Sequence, residues 1–171
     1  MPRRIVFVCT GNSCRSPLAE VLARARYADL PLIFASAGTD ATAGQPASAE
    51  ARLVARERGL DLEAHRSAPL DAAALADAVW LIGLTRTHAA LLLRRAGPAW
   101  TGRVGLLGAP GRDWRCDGPL AVAPGGDDPD VPDPWRQDLA AYRRVGERID
   151  RLLAGWSGVF REVCARRSGE S

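Results

Sequence analysis

Short apolar runs alternate with helix-like periodic segments along most of the chain. Four runs rich in apolar residues are bounded by Gly, Pro or polar turns and predict strands at Ile5–Val8, Leu32–Ala35, Ala78–Leu84 and Val104–Leu107. Periodic segments after them predict helices at Pro17–Ala28, Ala47–Gly59, Asp71–Ala76, Thr87–Ala96 and Pro134–Leu153. This alternation is typical of a parallel sheet covered by helices on both faces, so we expect a three-layer α/β protein.

Two segments do not follow the alternation. Gly108–Pro132 is rich in Gly, Pro and Asp and has no periodicity, which predicts a long loop. Apolar residues resume at Trp156–Cys164 and predict a short helix before a polar end. We therefore expect one domain over residues 1–155 and a C-terminal tail over residues 156–171, to which the sequence assigns no function.

The composition fits one globular domain and argues against several classes of protein. The chain has 171 residues, 47% hydrophobic and 25% charged, with a net charge of +3, which suits a single sizeable core. Every basic residue is arginine, and the arginines are scattered among acids, so we expect no nucleic-acid partner. No apolar stretch has the length of a membrane span and no signal peptide pattern is present. We expect a cytoplasmic monomer without a membrane partner.

One stretch, Cys9–Ser16, combines residues that suit an anion site. It follows the first predicted strand and enters a predicted helix through Ser16 and Pro17, which are typical N-cap and first-turn residues. The N–H groups of such a loop and helix start face one point. Five residues separate Cys9 from Arg15, so a thiol and a guanidinium border the same point.

The residue types in this stretch suit phosphoryl transfer. A helix N-terminus and a neighbouring cation favour the thiolate of Cys9, the nucleophilic form of cysteine. Arg15 presents a planar fork of donors that matches two phosphate oxygens and binds them more tightly as charge develops. Gly11 and Asn12 are types that accept positive φ, so we expect them to bend the backbone around the anion. Each residue alone is more often structural, but their combination indicates a nucleophilic phosphate site.

The run Val8–Glu20 closely resembles the N-terminal signature of the low-molecular-weight protein tyrosine phosphatase family, which includes protein-arginine phosphatases. The family's second signature, an Asp-Pro-aromatic triplet, is matched late in the chain by Asp133, Pro134 and Trp135. The resemblance extends to about Leu153. It implies a four-stranded parallel sheet in the order 2-1-3-4, with the loop at the carboxyl edge where ligands bind in such sheets.

The resemblance also implies roles for the matching residues. Cys9 is the expected nucleophile, which forms a cysteinyl phosphate, Arg15 is the transition-state clamp and Asp133 is the general acid, without metal or cofactor. We interpret the other acids of the loop, Asp127, Asp128 and Asp130, as turn residues, although Asp128 also precedes a proline. Substrate contacts are expected from Thr10, Gly11, Asn12, Ser13, Cys14, Ser16 and Trp135. Support for the loop, through its asparagine, is expected from Ser36 and His65.

Substrate preference depends mainly on Ser13. Family members that act on phosphotyrosine typically carry a bulky aliphatic residue at this position, and those that act on phosphoarginine carry threonine. A small hydroxyl side chain suits a guanidinium better than a phenyl ring, and the segment Thr39–Gly44 has no aromatic residue. We therefore expect a protein phosphatase with a slight preference for phosphoarginine. Phosphotyrosine remains the alternative, because Trp135 stands where the phosphoarginine enzymes carry phenylalanine.

Two other classes of function are weaker alternatives. An arsenate reductase on this fold needs further cysteines after the third strand, and Val79–Leu93 contains none. A phosphocysteine carrier or redox-sensing module needs neither the clamp Arg15 nor the acid Asp133.

The cysteines are expected to be thiols in a reducing compartment. Cys14 is close enough to Cys9 in sequence to trap its oxidised form as a disulfide, or it merely packs the loop. We therefore expect a redox-sensitive enzyme if Cys14 reacts. His88 is expected to be an ordinary surface residue.

Overall fold

The computed structural model describes residues 3–118 and 128–166. Its strands are Arg3–Cys9 (β1), Leu32–Gly38 (β2), Ala78–Gly83 (β3) and Arg103–Leu106 (β4). Its helices are Arg15–Arg26 (α1), Ala49–Glu57 (α2), Ala72–Leu75 (α3), Arg86–Ala96 (α4), Trp114–Asp117 (α5), Leu139–Ala154 (α6) and Ser157–Ala165 (α7). None of the helices in these ranges is long and apolar enough to cross a membrane.

The four strands form one parallel sheet in the order β2-β1-β3-β4, as predicted. The connection after β1 leads to β2 on one side, and β3 then pairs with β1 on the other side. The carboxyl end of β1 is therefore the point where the strand order switches, and ligands bind at such points in open α/β sheets. Cys9 is the last residue of β1 and lies beside Gly38 of β2.

The core has two halves, one on each face of the sheet. Alternate residues of β1 point to opposite faces, so Ile5 and Phe7 pack into one half and Val6 and Val8 into the other. The first half is covered by residues of α1, α2, α6 and α7, and the second by residues of α3, α4 and α5. This arrangement confirms the predicted three layers.

The segment after residue 155, which was expected to be a tail, contributes to the first half of the core. Trp156 and Phe160 are fully buried, and Trp156 packs edge-on against Trp80 with ring centroids 5.2 Å apart. Its indole N–H also donates to the carbonyl of Leu107 at 2.9 Å. The packed body therefore continues through α7.

Two helix predictions and one loop prediction need correction. Helix α1 begins at Arg15, and its N-cap residue Cys14 makes no side-chain cap bond; Ser16 is not the cap because its hydroxyl is committed inside the loop. Helix α6 begins at Leu139, since the carboxylate of Asp138 accepts the N–H of Ala141 at 2.8 Å and caps it there. The four-residue helix α5 lies in the predicted loop and is too short to show periodicity in the sequence.

Candidate active site

The loop between β1 and α1 is fixed at its start by the end of β2. The N–H of Thr39 donates to the carbonyl of Cys9, and the N–H of Asp40 donates to the carbonyl of Thr10, each at 2.9 Å. A Cβ at Gly38 would lie 2.5 Å from the carbonyl oxygen of Thr10. Only glycine allows the two strand ends to approach so closely, and the approach sets the position of the loop.

The bend of the loop occurs at Asn12. Its φ is 51°, in the left-handed region that asparagine tolerates better than most residues. The buried side chain donates through Nδ2 to Oγ of Ser16 and to Oγ of Ser36, each at 2.9 Å, and Oδ1 accepts the N–H of Ala68 at 2.8 Å. Gly11 lies in the same bend but does not have positive φ, so its freedom to adopt positive φ is not used here.

Two further residues extend the support around this asparagine. His65 donates through Nε2 to the carbonyl of Asn12 at 2.8 Å, and Ser36 donates through Oγ to Oε2 of Glu20 at 2.5 Å. Glu20 is buried and also pairs with Arg24 at 2.5 Å. Ser36 and His65 thus both contact Asn12 as expected, while the role of Glu20 as an anchor for Ser36 was missed.

The thiol of Cys9 is buried next to the hydroxyl of Ser16, with Sγ and Oγ 3.0 Å apart. The same hydroxyl accepts the N–H of Asn12, so its own proton is free to point elsewhere. Its alternative acceptor, the carbonyl of Ala37, is more distant at 3.4 Å. The sulfur of Cys9 is therefore the nearer of two acceptors for the hydroxyl proton of Ser16.

Arg15 lines the same cleft as Cys9 and is only 5% exposed. It donates through Nη1 to the carbonyl of Val131 at 3.2 Å and through Nη2 to Oδ2 of Asp133 at 3.0 Å. The carboxylate of Asp133 is 52% exposed, and its Oδ1 accepts the N–H of Trp135. The structure thus brings the predicted clamp and the predicted acid into direct contact.

The competing acids of this loop have other partners. Asp130 accepts the backbone N–H of Arg86 at 2.8 Å and its guanidinium at 3.2 Å. Asp128 pairs with the same guanidinium at 3.1 Å. Asp127 lies outside the described residues. Of the two described competitors neither borders the loop that holds the cysteine, so Asp133 is the acid that the geometry favours.

Cys9, Arg15 and Asp133 border one cleft with a volume of about 380 Å³. Trp135 stands at its rim and is 58% exposed. The side chains of Asn12 and Ser16 are fully buried, lie outside the lining of the cleft and support the loop. Contact of these two residues with substrate stays a prediction. The lining side chains and backbone belong to Cys9, Thr10, Gly11, Ser13, Cys14, Arg15, Asp40, Asp133 and Trp135.

A family model described as low molecular weight phosphotyrosine protein phosphatase matches residues 4–166. The chain belongs to this family. It is 32% identical over 154 residues to a protein-arginine-phosphatase of Geobacillus stearothermophilus, covering 90% of this chain and 93% of the relative. It is 30% identical over 157 residues to the low molecular weight protein-tyrosine-phosphatase Wzb of Salmonella typhimurium, covering 92% and 93%.

The fold of this low-molecular-weight phosphatase agrees with a solved structure of the family. The YwlE arginine phosphatase from Geobacillus stearothermophilus superimposes with a TM-score of 0.76 at 27% identity, covering 99% of this chain and all of the other, 100%. Family members named for arginine and for tyrosine are thus similarly distant in sequence. Family membership therefore leaves the choice between the two substrates open.

His88 was expected on the surface, and this expectation is wrong. It is only 4% exposed, with Nε2 3.0 Å from Oγ1 of Thr10 and Nδ1 2.9 Å from Oγ1 of Thr85. Burial, and then the charge of Arg15, lower the pKa of His88 to about 4. A sequence signal existed, because Thr85 precedes His88 by three residues and caps α4.

Cys14 turns its sulfur away from solvent toward α6. Its Sγ is 3.4 Å from the hydroxyl of Tyr142 and 3.5 Å from that of Ser48. Burial, and then the hydrogen bond with Cys14, raise the pKa of Tyr142. Cys9 and Cys14 are both free thiols in this structure. The capture of oxidised Cys9 by Cys14 stays a prediction.

Proposed function

We propose that this chain is a protein phosphatase that hydrolyses phosphorylated side chains through a cysteinyl phosphate on Cys9. The observation that carries this proposal is that Cys9, Arg15 and Asp133 border one cleft. A nucleophile, a cationic clamp and an acid thus meet in the space that a phosphorylated side chain enters. Relatives named as protein phosphatases support the same reaction.

In the first step the sulfur of Cys9 attacks phosphorus. An S–P bond forms while the bond from phosphorus to the leaving oxygen or nitrogen breaks, and Asp133 transfers its proton to that leaving atom. Arg15 binds two equatorial oxygens, on which negative charge accumulates. The hydroxyl of Ser16 stabilises the sulfur before attack and when it leaves again.

The ion pair between Arg15 and Asp133 suggests how the acid is released. Without an anion in the cleft, Nη2 of Arg15 donates to the carboxylate of Asp133. Phosphoryl oxygens compete for this donor, so a substrate that enters with one protonated phosphoryl oxygen releases Asp133 from the ion pair. The released carboxylate takes that proton and then faces the leaving group as the acid. In the second step Asp133 takes a proton from water, which attacks phosphorus and breaks the S–P bond.

Two side chains in the cleft favour phosphoarginine as the substrate. Ser13 is half-buried and supplies a hydroxyl where an aliphatic residue would pack on a phenyl ring. Asp40 also lines the cleft, and no described residue forms a hydrogen bond or ion pair with its carboxylate. A carboxylate beside a phosphate site repels the phosphoryl group unless the substrate brings its own cation. The guanidinium of phosphoarginine is such a cation, joined directly to phosphorus.

Phosphotyrosine is the second candidate substrate, and Trp135 is the observation that favours it. Its indole is 58% exposed at the rim, where an aromatic face is available to stack against a phenyl ring. An exposed indole also accepts a guanidinium through a cation–π contact, so this residue alone does not decide between the two.

A substrate panel with two variants tests the proposal. We expect wild type to hydrolyse p-nitrophenyl phosphate and to show a higher kcat/KM on phosphoarginine protein than on phosphotyrosine peptide. Asp40→Asn should lower kcat/KM for phosphoarginine by about fivefold, as for one charged contact that is partly screened, and leave p-nitrophenyl phosphate within about twofold. Ser13→Ile should shift the ratio toward phosphotyrosine, because it removes a polar partner and adds apolar bulk.

The controls separate failure of the reaction from failure of the specificity. Glu147→Gln removes one carboxylate charge from the exposed side of α6 and should change neither ratio. No turnover of any substrate with Cys9 intact would refute the phosphatase. Turnover with a strong preference for phosphotyrosine, or an Asp40→Asn variant that weakens all substrates equally, would refute only the arginine preference.

We also propose that the protein acts on its substrates as a monomer in the cytoplasm. The support is that all four cysteines are free thiols, as in a reducing compartment, and that only three large apolar side chains of the described residues are exposed. Light scattering coupled to size-exclusion chromatography should give the mass of one chain, and a dimer would contradict this.

A further inference from the structure

The buried imidazole of His88 lies between two threonine hydroxyls, one of which belongs to the cleft. Thr10 directly follows the nucleophile and lines the cleft, and its Oγ1 is 3.0 Å from Nε2. Thr85 is the N-cap of α4, and its Oγ1 is 2.9 Å from Nδ1. The imidazole therefore joins the loop between β1 and α1 to the first turn of α4.

The position of this ring is fixed by close packing of α4 on β3. A Cβ at Gly83 would lie 2.7 Å from the backbone nitrogen of Ala89 and 3.1 Å from Cβ of His88, so a larger residue would push the helix away. The N–H of His88 also donates to Oγ1 of Thr85 at 3.3 Å. With a pKa of about 4, His88 is neutral at physiological pH and offers one N–H and one lone pair.

Two tautomers of His88 fit these contacts, and they differ in whether the hydroxyl proton of Thr10 stays available to a ligand in the cleft. If Nε2 carries the proton, it donates to Thr10, and Nδ1 accepts the hydroxyl proton of Thr85. Both ring nitrogens and the hydroxyl proton of Thr85 then have partners, and the hydroxyl proton of Thr10 is left for a ligand. If Nδ1 carries the proton, no described residue accepts the hydroxyl proton of Thr85, and Thr10 uses its own proton on Nε2.

We propose that His88 is a positioning residue whose Nε2–H holds the hydroxyl of Thr10 as a hydrogen-bond donor to an oxygen of the bound phosphoryl group. The ring occupies one lone pair of Thr10 and so turns its proton toward the cleft. Only the identification of the ligand as a phosphoryl group rests on the proposed function. The contacts with the two threonines do not.

A double-mutant cycle on the binding of inorganic phosphate tests this proposal without depending on turnover. By titration calorimetry, Thr10→Val and His88→Phe should each weaken phosphate binding by about tenfold, the loss of one hydrogen bond to a charged acceptor. Because His88 acts through Thr10, the double variant should be no weaker than either single variant. Thr10→Ser and His88→Gln keep the hydroxyl and a donor, and both should bind within about threefold of wild type.

A spectroscopic measurement on the unmodified chain gives an independent test. The ¹⁵N shifts of His88 should show a protonated Nε2 and an unprotonated Nδ1 at neutral pH. A protonated Nδ1 would overturn the proposal. Losses that multiply in the double variant would also overturn it, because His88 would then act independently of Thr10. So would a His88→Phe variant that lowers Tm while phosphate binding stays unchanged, because His88 would then only fill space.

Discussion

Replacing Asn12 by alanine should remove the side-chain hydrogen bonds that support the loop between β1 and α1. The change deletes the contacts of its side chain with Ser16, Ser36 and Ala68, each worth about 1 kcal/mol net. It also places a residue with a Cβ but no compensating bonds at a φ of 51°, which costs about another 1 kcal/mol. The free energy of unfolding should therefore fall by about 4 kcal/mol, and Tm by about 10 °C for a chain of this size.

The measurement is urea unfolding of Asn12→Ala beside Ser36→Ala. The second variant breaks one contact of Asn12 and the hydrogen bond from Ser36 to Glu20. It should lose about 2 kcal/mol, since Glu20 keeps its pair with Arg24. Activity of Asn12→Ala on p-nitrophenyl phosphate should fall by about 100-fold, because loop amides misplaced by about 1 Å no longer face the phosphoryl oxygens. Equal losses of stability in the two variants would mean that Asn12 is not the central support of the loop.

Three further predictions follow from the site. Asp133→Ala should retain slow turnover of p-nitrophenyl phosphate, whose leaving group needs no acid, and lose about 100-fold or more in activity on substrates with basic leaving groups. If Asp133→Ala had unchanged activity and Asp128→Ala had none, the acid would be Asp128. After peroxide, wild type should recover with a dithiol, whereas Cys14→Ser should drift to irreversible oxidation; equal recovery would make Cys14 a packing residue. The pKa of His88 falls from 6.5 to about 4 on folding, so the unfolded chain binds the proton first as pH falls. The free energy of unfolding should therefore be highest above about pH 6.5 and should decline by about 3 kcal/mol toward pH 4. His88→Gln should lack that decline in urea unfolding.

The sheet and its nucleophile could be predicted from the sequence because each depends on local patterns. Every strand run is bounded by turn residues, and alternation with helices fixes the layers. The spacing from Cys9 to Arg15 likewise lies within one loop. The strand order was implied by family resemblance, since no local pattern states which strands become neighbours.

The missed features depend on contacts between residues distant in sequence. His88 and Thr10 are 78 residues apart, and only the approach of α4 to Gly83 brings them together. Ser16 has the type and position of an N-cap, but its hydroxyl instead serves Cys9 and Asn12. Trp156 follows a glycine near the end of the chain, where nothing local shows that it packs against Trp80. In each case a tertiary contact overrides the local preference.

Capture of the covalent intermediate would show directly whether Cys9 is the nucleophile. The enzyme is mixed with p-nitrophenyl phosphate, quenched in acid within the steady state, digested and examined by mass spectrometry. One phosphoryl group should be found on the peptide that contains Cys9, and on the sulfur of that residue. Cys9→Ala is the control, since a serine there has a hydroxyl that can itself accept phosphate, and it should show neither adduct nor turnover. Turnover by wild type with no phosphoryl group on Cys9, or by the alanine variant, would contradict the account.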